Sequence, residues 1–233
     1  DLDFSNLNLV GGGGTAIQEA ISNKWHQVTG LHITEGYGLS ETSPVVTFNV
    51  SSRDEFTGTI GIPVPSTDVV LRDESGKNVK QGEPGELCVK GPQVMQGYWR
   101  KPIETAEVTT KDGYFCTGDI ALLDAEGRFR IVDRKKDMIL VSGFNVFPNE
   151  IEAVVANMEG VLEAACIGMP DDRTDEAVKL FVVKTPGSKI EAKNVISFCR
   201  ERLTAYKVPK DITFIDELPK SAVGKILRRE LRN

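Results

Sequence analysis

The sequence has few of the residues that build metal and redox centres. It contains only two histidines, His26 and His32, so we do not expect a histidine-based metal centre. Its four cysteines are too far apart in the sequence for a zinc knuckle or a redox dithiol motif. We therefore expect four reduced thiols, as in a cytoplasmic protein.

The sequence also lacks long apolar runs and an excess of positive charge. No uninterrupted apolar run is long enough to cross a bilayer. The net charge of -6 gives no general attraction to nucleic acid, and the basic stretch at 220–232 is too short to reverse this. The first residues, Asp1-Leu2-Asp3, have neither an initiator methionine nor the basic flank of a signal peptide. We therefore interpret the chain as a piece of a longer protein.

The composition is that of an ordinary globular protein, with 40% hydrophobic and 27% charged residues in 233. In the first fifty residues the pattern predicts a strand, a glycine break and a helix, then a second strand that leads into a turn at Gly36 and Gly38. These elements are expected at 7–10, 11–14, 17–27 and 31–34.

From about residue 58 to 133, short β-branched runs predict strands and turns. After residue 133 the pattern predicts strands that alternate with helices. Strands are expected at 68–71, 86–90, 161–167, 178–183 and 212–215, a hairpin at 119–133, and helices at 148–158, 191–203 and from 225. The sequence thus predicts an α+β fold, with a β-rich domain before the charged run at 134–137 and a compact α+β domain after it. The natural boundary is a hinge near 134–136.

Several short motifs offer polar groups that suit a nucleotide. The glycines at 11–14 could bring backbone N–H groups close to a ligand, although they match neither a Rossmann fingerprint nor a P-loop. The ring of Tyr37 can stack on a base, the Ser40 hydroxyl can bond a phosphate, and Glu41 can help to hold Mg²⁺. The residues alone also allow structural explanations. The glycines could form a flexible connection, Tyr37 could lie in the core, and Ser40 and Glu41 could simply start a helix.

Three further residues could serve the same ligand. Asp119, after a glycine, can accept hydrogen bonds from a ribose diol, and Arg134 could bring a second polar group to that ribose. Lys225 follows Gly224, and a lysine on a mobile segment could balance a carboxylate and a phosphate as they approach each other. A turn aspartate, an exposed arginine and a solvated lysine are the structural alternatives.

In their order and joint presence, these motifs resemble the adenylate-forming superfamily of acyl-CoA synthetases, luciferases and adenylation domains. The amino-acid sequence of residues 133–152 is most similar to that of bacterial long-chain fatty acyl-CoA synthetases. The segments that carry the resemblance are Tyr-Gly-Leu-Ser-Glu (37–41), Gly-Glu-Leu-Cys-Val-Lys-Gly-Pro (85–92), Gly-Tyr-Trp (97–99), Thr-Gly-Asp (117–119), the run at 133–143 and Pro-Lys-Ser-Ala-Val-Gly-Lys (219–225).

The resemblance implies a role for each matching residue in the first half of the chain. Gly13, Gly14 and Tyr37 would surround the adenine. Ser40, where the family usually has threonine, would contact a phosphate, and Glu41 would associate with Mg²⁺.

The resemblance also implies a division into three parts. Residues 1–50 would end a large α/β domain, 51–135 would form a β-rich subdomain, and 136–233 would form a small mobile α+β domain after a hinge.

Further roles are implied along the chain. Asp119 and Arg134 would hold the ribose hydroxyls, and Lys136 would be the hinge. Gly143 would line the path of the pantetheine thiol, and Lys225 would act in adenylation.

The implied activity is ATP-dependent conversion of a long-chain fatty acid to acyl-AMP and then, with coenzyme A, to acyl-CoA. The alternatives are an adenylation domain that loads a carrier protein, which the sequence at 135–138 disfavours, and a non-catalytic nucleotide-binding module. The family's phosphate-gripping loop is not among these residues, so we expect the isolated chain to be inactive. We expect a cytoplasmic location without nucleic acid. Long-chain substrates are compatible with a peripheral contact at the inner membrane, although no amphipathic segment requires one.

Overall fold

The computed structural model describes residues 2–17, 19–49, 55–222 and 224–232. Gln18 of the predicted first helix, residues 50–54 at the predicted domain boundary and Val223 of the lysine motif lie outside the described residues. The chain divides into two compact units, Asp1–Val132 and Asp133–Asn233.

The first unit opens with a small mixed sheet. Its strands are β1 (Gly11–Gly12), β2 (Thr34–Gly38), β3 (Val45–Phe48) and β4 (Ile62–Pro63), in that spatial order. Strands β1 and β2 are parallel, and helix α1 (Glu19–Thr29) connects them. Strands β3 and β4 continue the sheet in antiparallel fashion.

Two sequence predictions for this sheet are wrong. The first strand is the glycine pair Gly11–Gly12 rather than residues 7–10, because the glycine backbone itself pairs with Thr34 and Glu35. The second strand is Thr34–Gly38 rather than 31–34, so Gly36 and Gly38 lie inside β2 and not in a turn. A Cβ on Gly36 would come within 2.6 Å of the Phe48 ring, and one on Gly38 would overlap the Pro44 carbonyl. Close packing therefore requires both glycines.

The second sheet, most of which lies in the first unit, is formed by strands that are neighbours both in the chain and in the sheet. It contains β5 (Asp68–Arg72), β6 (Gly85–Lys90), β7 (Phe115–Leu123) and β8 (Phe129–Arg134), in that order. The short helix α2 (Pro102–Val108), which the sequence did not predict, lies between β6 and β7. Leu87, Cys88 and Val89, which are consecutive on β6, are all fully buried, and Leu87 and Val89 form part of the core of this unit.

The second unit packs two helices against one sheet. The strands are β9 (Ile139–Val141), β10 (Phe144–Val146), β11 (Val161–Asp171), β12 (Asp175–Lys184) and β13 (Asp211–Phe214), and the helices are α3 (Pro148–Ala156) and α4 (Ala192–Arg200). The sheet order is β10-β9-β12-β11, and β13 pairs with β12 in parallel. Ile151 and Val155, one helical turn apart on α3, are fully buried in the core.

The predicted α+β class is confirmed. The helix expected from residue 225 is instead a short 3-10 turn, Arg228–Leu231. Among the described residues, none of the helices has both the length and the apolar character needed to span a membrane.

Candidate functional site

Two of the predicted nucleotide-binding side chains meet in the first unit. The Tyr37 hydroxyl donates a hydrogen bond of 2.6 Å to Oδ2 of Asp119, although 82 positions separate the two residues. Tyr37 is half-buried and lies on β2, whereas Asp119 is 7% exposed and lies in the middle of β7. The contact brings an aromatic ring and a carboxylate together at the meeting point of two sheets.

The backbone before Asp119 explains how this carboxylate is held. Gly118 has φ +73°, a left-handed conformation that favours glycine, and its N–H donates to Oε1 of Glu86 at 3.2 Å. The Thr117 hydroxyl donates to the Leu87 carbonyl at 2.9 Å and accepts the Asp119 N–H at 3.1 Å. The Thr-Gly-Asp segment is therefore a fixed kink within a strand, and not the turn before a strand that the sequence also allowed.

Ser40 and Glu41 lie on a 3-10 turn that follows β2. The turn spans Ser40–Thr42, with Ser40 exposed and Glu41 half-buried. The Thr42 hydroxyl is buried and holds the turn by donating to the Leu39 and Pro44 carbonyls. The turn thus presents the Ser40 hydroxyl to solvent.

Tyr98 orients the Glu41 carboxylate, a role that the sequence analysis did not identify. Its hydroxyl donates to Oε1 of Glu41 at 2.9 Å, and partial burial together with this bond raises the pKa of Tyr98. The Met95 N–H fixes the same residue by donating to the Glu41 carbonyl at 2.8 Å. The only sequence signal was that Tyr98 lies within one of the resembling motifs.

The glycine loop lies beside β2. A Cβ on Gly13 would come within 3.0 Å of the Gly36 carbonyl, and Gly14 has φ +82°. Glu35, 7% exposed on β2, accepts the Ile17 N–H at 3.1 Å and so fixes the chain just after this loop. Burial raises the pKa of Glu35. The loop is exposed at Gly13 and Gly14, so it is open to a ligand.

Arg134, the last residue of β8, and Lys136 both lie after Val132, where the first unit ends. The convergence of Arg134 with Asp119 and the hinge role of Lys136 therefore stay predictions. Lys136 is exposed on the 3-10 turn Lys135–Asp137. Just before it, Asp133 is 1% exposed and accepts the N–H groups of Arg134 at 2.7 Å and Asn149 at 2.8 Å. Burial raises the pKa of the Asp133 carboxyl. This buried carboxylate therefore ties the start of the unit to α3.

Gly143 lies in the two-residue turn between β9 and β10. Ser142 has φ +50° and Gly143 has φ +81°, as in the hairpin turns that need left-handed residues. Within the described parts of the chain, no heavy atom lies within 4 Å of a Cβ placed on Gly143. Here the turn conformation favours glycine, and the role of Gly143 in a thiol path stays a prediction.

We expect Gly143→Ala to destabilise the protein by about 1–2 kcal/mol, because an alanine is strained in the left-handed region. Gly143→Asn should cost less, since asparagine tolerates this conformation. Thermal or urea unfolding of the full-length protein with each variant measures the difference. Equal stability of the wild type and Gly143→Ala would show that the turn does not impose the requirement.

Lys225 lies on a small backbone hairpin near the end of the second unit. The residue is exposed, its carbonyl accepts the Ser221 N–H at 2.8 Å, and its own N–H donates to the Ser221 hydroxyl at 3.2 Å. Lys220 pairs with Ile226 as an isolated bridge, and Gly224 makes the turn with φ +79°. The lysine is thus displayed on a turn rather than at the start of a helix.

An ionic cluster that the sequence analysis did not identify lies next to this hairpin. Arg228 and Glu152 are 14% and 15% exposed, and Nη2 of Arg228 lies 2.7 Å from Oε2 of Glu152. Burial raises the pKa of Glu152 despite this partner. Asp137, 7% exposed, contacts Nη2 of Arg232 at 3.1 Å. No sequence signal links these residues, since 76 positions separate Glu152 from Arg228.

Glu41 offers a carboxylate for Mg²⁺ at the predicted place. Within residues 2–17, 19–49, 55–222 and 224–232, no three histidine, cysteine or acidic side chains group as metal ligands. A single carboxylate fits Mg²⁺, which proteins often hold through one or two carboxylates together with substrate phosphates. The residues present therefore fit a nucleotide-bound ion rather than an all-protein metal site.

Known proteins resemble this chain over nearly its whole length. Residues 1–99 match the family model described as AMP-binding enzyme, and residues 150–225 match that of the AMP-binding enzyme C-terminal domain. The chain is 59% identical over 232 residues to a long-chain-fatty-acid–CoA ligase of Yersinia pestis and 46% identical over 230 residues to one of Bacillus subtilis. It covers 41% of the length of each, and these relatives cover 100% and 98% of the chain.

Solved structures of related enzymes have the same fold as this chain. The crystal structure of ATP-bound MatB from Rhodopseudomonas palustris superposes with a TM-score of 0.90 at 35% identity, over 96% of this chain and 44% of that one. The o-succinylbenzoate CoA synthetase of Bacillus subtilis, in complex with its acyl-adenylate, superposes with a TM-score of 0.86 at 28% identity, over 98% of this chain and 46% of that one. The predicted resemblance is confirmed, and the chain belongs to the AMP-binding enzyme family.

Proposed function

We propose that the full-length protein containing this chain is an AMP-forming long-chain fatty acid–CoA ligase. It would join a fatty acid to the α-phosphate of ATP, release pyrophosphate, and transfer the acyl group to the thiol of coenzyme A. One observation carries the proposal: the chain is 59% identical, over its whole length, to a protein named for this activity. The chain spans about two fifths of that relative, so the activity is proposed for the longer protein.

In this proposal the first unit binds the adenosine part of ATP. The Tyr37 ring would lie against the adenine and Asp119 would accept hydrogen bonds from the ribose, with Gly13 and Gly14 lining the same site. The hydrogen bond of 2.6 Å between Tyr37 and Asp119 supports this, because it holds the ring and the carboxylate close enough to contact one nucleoside. Arg134 would be the second ribose contact.

Ser40 and Glu41 would serve the phosphates. The exposed Ser40 hydroxyl can donate to a phosphate oxygen, and Glu41, oriented by Tyr98, can hold Mg²⁺ that ATP brings. Mg²⁺ would supply positive charge against the phosphate oxygens. The protein's own contribution is to keep the carboxylate fixed before ATP arrives.

The second unit would carry the groups that distinguish the two half-reactions. Lys225 would place its charge beside the carboxylate and the α-phosphate during adenylation. A pivot at Lys136 would then remove Lys225 and bring Gly143 to the thiol path. The chemistry favours such a change, since the first step needs a cation between two anions and the second needs an open approach for a thiol.

The products formed by full-length protein test this proposal. With ATP, Mg²⁺ and a series of fatty acids, we expect AMP, pyrophosphate and a free CoA thioester, with the highest kcat/KM for long chains. Acyl-AMP that accumulates in the presence of CoA, or transfer only to a carrier protein, would favour an adenylation domain. Nucleotide binding without turnover of any acid would favour a binding module.

A further inference from the structure

Lys225 needs a defined position if it is to act, yet its own hairpin is short. The hairpin is closed by backbone bonds between Ser221 and Lys225 and between Leu227 and Pro219, the latter of 2.8 Å. These bonds fix the shape of the turn but not its direction relative to the rest of the second unit. The direction depends on what holds the residues on either side of Lys225. Before it, Lys220 forms an ion pair with Glu163 on β11, and after it Arg228 is held.

Arg228, three residues after Lys225, is bonded to helix α3 in a fork. Its Nη2 donates to both carboxylate oxygens of Glu152, at 2.9 and 2.7 Å, and its Nε donates to Oε1 at 3.2 Å. Nη2 also donates to Oδ1 of Asn149 at 2.8 Å. A planar guanidinium bound at several points has one preferred orientation, which a single contact would not impose.

The acceptor of this fork is itself fixed. Oε1 of Glu152 accepts the Cys166 N–H at 2.7 Å, so the carboxylate is tied to strand β11 as well as to its own helix. The Arg228 and Glu152 side chains are 14% and 15% exposed, so water competes little for these bonds. Arg228 is therefore bonded to helix α3 directly and linked to strand β11 through Glu152.

A second arginine ties the same segment to the start of the unit. Nη2 of Arg232 donates to Oδ1 of Asp137 at 3.1 Å and to the Lys136 carbonyl at 3.4 Å. Nη1 of Arg228 lies 3.8 Å from Oδ2 of Asp137. The segment after Lys225 is thus joined by charge to the turn that carries the proposed hinge.

Apolar contacts hold the segment after Lys225 to the sheet independently of the Arg228 and Arg232 ion pairs. Leu218 is 3% exposed and packs in a cluster with Ala165, Ile167, Phe181 and Val183, and Ile226 and Leu231 pack against that cluster. A change that weakens the arginine fork but keeps its charge should therefore leave the segment attached. The fork is placed to set orientation, whereas the apolar cluster supplies attachment.

We propose that Arg228 is a positioning residue that orients Lys225 for adenylation, with Glu152 as its fixed acceptor. This rests on the proposed function. It predicts that loosening the fork harms the step that uses Lys225 and spares the step that does not.

The test uses full-length Arg228→Lys, which keeps the charge and loses the fork, and Arg229→Lys as the matched control at an exposed neighbouring position. The first half-reaction is followed as acyl-AMP formed from palmitate and ATP, and the second as acyl-CoA formed from supplied palmitoyl-AMP and CoA. We expect Arg228→Lys to slow the first about 10- to 100-fold, as a small misplacement of a reacting group does. The second half-reaction of this variant, and both half-reactions of Arg229→Lys, should change less than about threefold.

A double variant separates positioning from general damage. Once Lys225 is alanine, adding Arg228→Lys should cause no further loss of acyl-AMP formation, because the group to be positioned is gone. Equal losses in both half-reactions, an additive double variant, or an unchanged first half-reaction would each overturn the proposal. Glu152→Gln should repeat the selective loss. If the wild type makes no acyl-AMP, the proposed function itself is wrong, which is a different result.

Discussion

Replacing Lys225 by alanine in the full-length protein is expected to abolish most acyl-AMP formation while leaving transfer from supplied acyl-AMP to CoA nearly intact. The lysine is exposed on a hairpin turn, so its removal costs little packing. Its charge would be needed only while a carboxylate approaches a phosphate. Loss of one such stabilising group typically slows the step on the order of a hundredfold or more. Single-turnover assays of each half-reaction measure the two effects separately.

A matched control shows whether the effect is specific to this position. Lys193 lies in the same unit with a side chain 78% exposed, and Lys193→Ala should leave both half-reactions unchanged. An unaltered first half-reaction in Lys225→Ala would remove this lysine from the chemistry. Equal loss of both half-reactions would indicate a structural defect instead.

Replacing Asp119 by alanine is expected to weaken the use of ATP strongly. Two hydrogen bonds from ribose hydroxyls to a carboxylate are worth about 1.5–3 kcal/mol each, so kcat/KM for ATP should fall on the order of a hundredfold or more. The side chain is 7% exposed and accepts the Tyr37 hydroxyl, so the variant also frees the ring. Steady-state kinetics with ATP as the varied substrate gives the effect.

Two comparisons isolate the ribose contact from the tyrosine contact. Tyr37→Phe keeps the ring and removes only its bond to Asp119, so its loss should be no more than about tenfold. The wild type should also prefer ATP to deoxy-ATP, and Asp119→Ala should lose that preference. An Asp119→Ala variant that still discriminates between the two nucleotides would place the ribose elsewhere.

Patterns within single strands allowed much of the sheet structure to be predicted. The strands expected at 68–71 and 86–90 are confirmed as Asp68–Arg72 and Gly85–Lys90, because each contains a short apolar run with the β-branched residues that strands favour. The first strand was misplaced because two glycines carry no side-chain pattern, and their pairing with Thr34 and Glu35 is made by backbone alone. The hairpin of β9 and β10 was missed, since strands of three residues are too short to show a period.

The site was predictable residue by residue but not as a set of contacts. The motifs indicated Tyr37 and Asp119 separately, and only the fold shows that their side chains touch. The partners that orient predicted residues were not visible in the sequence. Tyr98 donates a hydrogen bond to Glu41, which lies 57 positions before it, and Arg228 binds Glu152, which lies 76 positions before it. Such contacts depend on which elements the fold places side by side, and a local pattern carries no information on that.

The most direct test of the proposed chemistry is to follow oxygen from the fatty acid carboxylate. Full-length protein would be given palmitate labelled with a heavy oxygen isotope in its carboxylate, together with ATP, Mg²⁺ and CoA, and the products would be analysed by mass spectrometry. If an acyl-adenylate forms and is then cleaved by the thiol, one labelled oxygen must leave with AMP. Label found in inorganic phosphate or pyrophosphate, with none in AMP, would contradict the account.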